Sequence, residues 1–345
     1  MTNLVVQSCG PMTSLQDWGR LGYQGFGVSP SGAMDRRCLA MANALVGNAP
    51  DTAAIEFMNL GGTFTCEGGE LRAALVGAGC TASINDVPAE PNTTMVLQEG
   101  DVLKISHARI GTFAYLAIAG GFLVKPQLGS LSFHPRSRLG GLNGAPLKAG
   151  DRLPCRPDAQ QSAPMHLPTE PLEESGPIRV IMGPQDDYFT EDAIQTFLNA
   201  EFTISPQADR MGFQLNGPQL EHAKGFNIVS DGIVDGHIQV PGSGLPIVLM
   251  RDRQTAGGYP KIATIINADL GRFAQMRPGT IVRFRAVPRN DAVSAARQMK
   301  DWMDALPSQL VPLRFDLTTE HLLSTNLIGG MVDALAKPPE QDASI

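Results

Sequence analysis

PIVLMRDRQTAGGYPKIATII, residues 246–266, holds two apolar runs on either side of a charged, glycine-rich break. Leu245 to Met250 and Ala263 to Ile266 have the length and β-branched content of buried strands. The break carries Arg251, Asp252, Arg253 and Gln254, then Gly257-Gly258, Tyr259, Pro260 and Lys261. In a β-barrel, polar residues at strand ends point into the mouth, and glycines let a ligand approach the backbone. The pair Gly257-Gly258 predicts a turn with positive φ that returns Lys261 toward Asp252.

The rest of the chain agrees with a β-rich class. It has 345 residues, 37 of them glycine and 26 proline, which favours short strands and tight turns and predicts two domains. The net charge of −7, with no basic block, argues against a nucleic-acid partner but leaves room for an anionic small molecule held by local charges. Five cysteines without a CxxC pair read as reduced thiols in the cytoplasm. No signal-peptide pattern and no apolar run of about 18 residues is present, so no membrane role is expected.

Strands are predicted at 3–9, 55–57, 63–65, 73–76, 94–97, 102–106, 112–119 and 178–182. Helical spacing predicts helices at 33–46, with Ser31 a candidate cap, and at 292–306, and Thr190 caps another between them. The Pro/Glu/Ser-rich stretch 156–176 reads as a linker. Strand-Gly-Pro recurs at Gly10-Pro11 and Gly183-Pro184, and QEGDVLKI resembles RPGTIVRF at nearly the same offset, so the domains read as a duplication. The expected division is 1–155, a linker at 156–176, a second barrel at 177–288, and a helical C-terminal extension at 289–345 that includes the apolar stretch 321–335.

No GxxxxGK[ST], HExxH or GxSxG occurs, and six scattered histidines give no metal-ligand spacing. Two segments carry chemistry. In Gln16 to Asp35, Asp17 and Arg20 flank a glycine, and a Ser-Gly turn feeds a helix start suited to an anion; the alternative is a pinned loop with Asp17 paired to Arg20. In the break quoted above, taken with Ser230-Asp231-Gly232 and the stretch His237 to Gly242 that holds Gln239, Asp252, Gln254, Thr255 and Lys261 supply acceptor, amide, hydroxyl and cation; the alternative is a solvated hairpin.

Three blocks, GPMTSLQDWGRLGYQGFGVSPSGAMDRRCLAMANALVGN, GPQDDYFTEDAIQTFLNAEFTISPQADRMGFQLNGPQL and SDGIVDGHIQVPGSGLPIVLMRDRQTAGGYPKIATIINADLGRFAQMRPG, resemble the biotin-dependent carboxyltransferase / allophanate hydrolase subunit 2 family. The resemblance implies a mainly β fold of tandem cyclophilin-like β-barrels with a few short helices and a helical tail. It implies a subunit of an ATP-dependent 5-oxoprolinase complex that opens 5-oxo-L-proline to L-glutamate, with subunits B and A as partners and ATP bound on a partner or at a non-standard site. The string Gln254 to Lys261 favours that branch over biotin-dependent carboxyltransferases, in which biotin would be the cofactor; a regulatory binding protein is the third reading. The candidate catalytic residues are Lys261, Asp252 and Gln254. The candidate substrate-binding residues are Gln239, Arg253, Thr255, Gly257, Gly258, Tyr259, Asp17, Arg20 and Asp35, and no metal is expected.

Overall fold

The computed structural model describes residues 1–159, 163–168 and 175–313. Part of the linker expected at 156–176 and all of the apolar stretch 321–335 lie outside them. Met1–Pro312 forms one compact unit.

Its first half is built from two antiparallel sheets. One runs, in spatial order, Arg152–Pro154, Asn3–Cys9, Gly62–Glu67, Val102–Ile105, Ala82–Ile84 and Val87–Pro88. The other runs Ser14–Gln16, Ala54–Met58, Phe113–Ile118, Leu71–Gly77 and Thr94–Leu97. Strand alternation explains why the second sheet is dry on both faces. Ala114, Leu116 and Ile118 enter one apolar core with Leu4, Phe64 and Leu103. Phe113, Tyr115 and Ala117, from the same strand, join a second core with helix α1 (Arg36–Leu45).

The second half is an eight-stranded sheet in the order Ile281–Val282, Phe202–Ala208, Gly212–Asn216, Ile247–Leu249, His237–Gln239, Lys261–Ile265, Ile178–Met182 and Phe284–Ala286. Its two outermost strands are separated in sequence by Arg283 alone, so one segment brings both edges together. The result is a nearly closed barrel, and closure gives edge amides and carbonyls their partners. Helix α2 (Glu191–Asn199) packs on the sheet through Phe197, which stacks on Phe284 at 4.7 Å between ring centroids. Helices α3 (Asn267–Ala274) and α4 (Arg289–Gln309) follow, and α4 packs on both α1 and α3. The protein is mainly β, with four α-helices among the described residues.

Two local expectations change. The first helix begins at Arg36, and its cap is Asp35 rather than Ser31: the Asp35 carboxylate accepts from the Arg37 and Cys38 amides. Ser31 sits at φ 57, and its hydroxyl donates to Asp252 at 2.6 Å instead, with Phe133 O a second acceptor within reach at 2.9 Å. The final helix extends beyond 292–306 at both ends. Thr190 does cap α2, its hydroxyl accepting from the Ala193 amide.

Candidate functional site

The charges of the 251–253 run are buried, not displayed. Arg210 forks onto Asp252, Nε to Oδ2 at 2.8 Å and Nη2 to Oδ1 at 2.9 Å, and also pairs with Glu56. Ser31 donates to Asp252 at 2.6 Å, Arg210 donates to Gly32 O, and Tyr115 and the Met34 amide donate to Glu56. All three ionic side chains are at most 3% exposed, so the cluster clasps the first-half sheet, the segment before α1 and the barrel together. Burial alone would lower the Arg210 pKa; Asp252 and Glu56 outweigh it and hold the guanidinium well above its usual range. Arg251 and Arg253 share Asp235, while Arg251 also donates to Ala33 O and Arg253 to Ile233 O. Asp252 and Arg253 are therefore engaged in buried tertiary ties, where the sequence pattern has them pointing into the barrel mouth.

Lys261 occupies the mouth. It starts its strand with a side chain 0% exposed, and its ammonium donates at 2.9 Å to Asp231, whose own side chain is 53% exposed. The pair thus stands just beneath the surface. Gln185 holds both partners: its Nε2 donates to Asp231 at 3.3 Å, and its Oε1 accepts from the Lys261 amide at 3.2 Å. Lys261 pulls the Asp231 carboxyl below its usual range. Gln239 lies opposite Lys261 in the ladder and donates to Tyr259 O at 3.5 Å.

The glycine pair works differently from expectation. Neither Gly257 nor Gly258 has positive φ, and Lys261 faces Asp231, not Asp252. Ala256–Gly257 instead forms a short antiparallel ladder with Asp231–Gly232. A Cβ on Gly257 would lie 2.4 Å from Gln239 Nε2, so the missing side chain lets that amide lie against the strand. His237, buried near the same mouth, is pushed down to about 4 by burial and then by Lys261 and Arg253. It is neutral at pH 7, and its Nδ1 accepts from the Val234 amide at 3.3 Å.

The structure therefore joins Lys261, Gln239, Gly257 and the Tyr259 backbone. Gln254 and the Tyr259 side chain are exposed, and Thr255 and Gly258 are half-buried alongside. Asp17 and Arg20 do not pair as the pinned-loop alternative had it. Asp17 accepts from Gly19, Ser130, Leu131 and Ser132, and Arg20 donates to Ser132 O, so each grips the 130–132 loop separately. Arg20 is 1% exposed, and its Nε and Nη1 have no partner. Asp35 is fully buried on its capping duty, with Gln275 donating to its other oxygen at 3.2 Å. Among the described residues, no group of three or more His, Cys, Asp or Glu is placed to hold a metal ion.

The chain is similar to known proteins in sequence and in fold. The model of the carboxyltransferase domain, subdomain A and B, matches residues 26–286. The chain belongs to this carboxyltransferase-domain family. It is 35% identical to the C subunit of 5-oxoprolinase from Haemophilus influenzae over 85% of this chain and 94% of that protein. It is also 35% identical to the protein of the same name from Escherichia coli, covering 89% and 98%. Urea amidolyase of Lachancea kluyveri is 30% identical over 92% of this chain but 18% of its own length. The crystal structure of Kluyveromyces lactis urea carboxylase superposes with a TM-score of 0.81 at 28% identity, over 90% of this chain and 30% of that one.

In this carboxyltransferase domain, sequence reasoning left Gln185, Asp235, Arg210 and Glu56 out of the site, and took Ser230-Asp231-Gly232 with the charged break without giving Asp231 a role. Asp231 had a local signal, an Asp-Gly pair in the same family block as Gln239. Arg210 and Glu56 had none, because what defines them is a partner on a distant strand.

Proposed function

We propose that the chain is the C subunit of a complex that opens 5-oxo-L-proline to L-glutamate with ATP, acting with B and A subunits in the cytoplasm. The observation that carries this reading is 35% identity to two proteins named as the C subunit of 5-oxoprolinase, over nearly their whole length. The mouth suits the substrate. A carboxylate that displaces Asp231 inherits the Lys261 ammonium, already desolvated, where a charge-assisted bond is strong. The Gln239 amide offers both a donor and an acceptor to the lactam, and neutral His237 can hold a proton nearby. ATP supplies activation of the lactam oxygen as a phosphate, making a resonance-stabilised amide open to water.

The test is glutamate release from 5-oxo-L-proline and ATP, measured with the chain alone and then co-purified with its B and A partners. Activity is expected in the full mixture only, and a Lys261→Met chain in that mixture should assemble but turn over at least about a hundredfold slower. No activity in any mixture overturns the reading. The urea amidolyase and urea carboxylase relatives favour a second reading, carboxyl transfer, for which biotin would carry the carboxyl group. Avidin-sensitive carboxylation in the presence of a biotinylated carrier would establish it instead.

A further inference from the structure

Arginine at a helix start runs against the helix dipole, which favours acids there. Yet α1 opens with Arg36-Arg37 and α4 with Arg289. Both starts face one cavity of about 500 Å³, set between the segment leading into α1, the barrel and α4. Arg36, Arg251, Arg253 and Arg289 line it, and Asp235 is the one carboxylate among its described lining residues. Asp235 is already shared by Arg251 and Arg253. Arg36 donates to Trp18 O at 2.8 Å and lies over the Trp18 ring, and its buried Nε has no hydrogen-bond partner. Burial, then repulsion from Arg251, pushes its guanidinium down to about 9 against the pull of Asp235 and Asp17. The start of α3, at Ile266 and Asn267, lines the same cavity, and neither α3 nor α4 has a side-chain cap. An adjoining cavity of about 260 Å³ shares Arg36, Arg251 and Asn267 and is also lined by Asp35, Arg37 and Lys300, the last paired with Asp304. In a chain of net charge −7 this is a local concentration of positive charge.

We propose that this cleft binds a small molecule carrying a phosphate ester or polyphosphate. Four guanidiniums against one carboxylate leave three positive charges, which a monocarboxylate would leave mostly uncompensated. A phosphate group brings about two negative charges and three acceptor oxygens, and matches both the arginine fork and the amides of a helix start. Ile181, Leu270 and Val293 give the uncharged part of such a ligand an apolar wall. The proposal does not depend on the reading of the Lys261 site.

The experiment is isothermal titration of the full chain with inorganic pyrophosphate, beside inorganic phosphate, ATP and citrate. Pyrophosphate should bind with one-to-one stoichiometry and weaken as salt rises. Arg289→Gln, at an exposed position that the fold does not need, should weaken it about tenfold, and Arg36→Gln by at least as much. Lys104→Gln, whose lysine pairs with Asp86 on a first-half sheet, should leave it unchanged. ATP binding tighter than pyrophosphate points to a nucleotide, and phosphate binding as tight as pyrophosphate points to a monophosphate ester. Absence of pyrophosphate binding, equal binding by Arg289→Gln, or tighter binding of citrate overturns the proposal.

Discussion

Replacing Asp252 with asparagine separates a structural clasp from a catalytic group. In the native protein its two oxygens take a forked pair of bonds from Arg210 and a third from Ser31, all at sites at most 3% exposed. Asparagine keeps the shape but removes the charge, and turns an N–H₂ toward a guanidinium that can only donate. Breaking a buried ion pair from one side costs about 3–5 kcal/mol, and about 3 is expected here because Glu56 still faces Arg210. An unfolding entropy of about 2.1 cal/mol/K per residue gives a unit the size of Met1–Pro312 about 0.65 kcal/mol/K, so Tm should fall by about 4–5 °C. Differential scanning calorimetry of Asp252→Asn beside Asp86→Asn reads this directly. Asp86 pairs with Lys104 at side chains 78% and 49% exposed, and its loss should shift Tm by less than about 1 °C. An Asp252→Asn chain that melts with the wild type but loses activity in the complex would refute the clasp and return Asp252 to the chemistry.

The buried His237 folds with a pKa near 4, below the roughly 6.5 of an unfolded histidine, so the unfolded state takes the proton first and stability falls as pH drops from 6.5 to 4. At pH 4.5 this amounts to about 2.5 kcal/mol, and His237→Gln should remove that part of the loss in urea midpoints compared at pH 7 and 4.5. Gly271→Ala would set a Cβ 2.4 Å from the Asp35 carboxylate that caps α1, and should destabilise by about 1–3 kcal/mol in denaturant unfolding. Thr190→Ala removes the α2 cap and should cost about 1 kcal/mol in the same assay, with no effect on pyrophosphate binding.

Much of the local structure is legible because its causes are local. Asn3–Cys9, Thr94–Leu97 and Ile178–Met182 fall where apolar runs stop at turn residues. The α2 cap is readable because Thr190 and the amide that it binds are three residues apart. Even the cap of α1 was within reach, since Asp35 stands directly before the helix; Ser31 misleads because its hydroxyl is taken by Asp252, far along the chain.

The site divides along the same line. Sequence alone offers Lys261, Gln239 and Gly257 as candidates beside Asp252, Gln254 and Arg253, and marks the chain as a β-barrel protein of the carboxyltransferase family. It also holds an unread sign in Arg36 and Arg289, cations placed where a helix dipole disfavours them. Only the tertiary structure decides that Asp252 serves Arg210, that Lys261 serves Asp231, and that three helix starts meet at one cleft. The reason is physical: a charge in the sequence can be solvated, paired or left open to a ligand. Which of these holds depends on burial and on partners brought from distant parts of the chain, quantities that exist only after the barrel has closed on the first-half sheets.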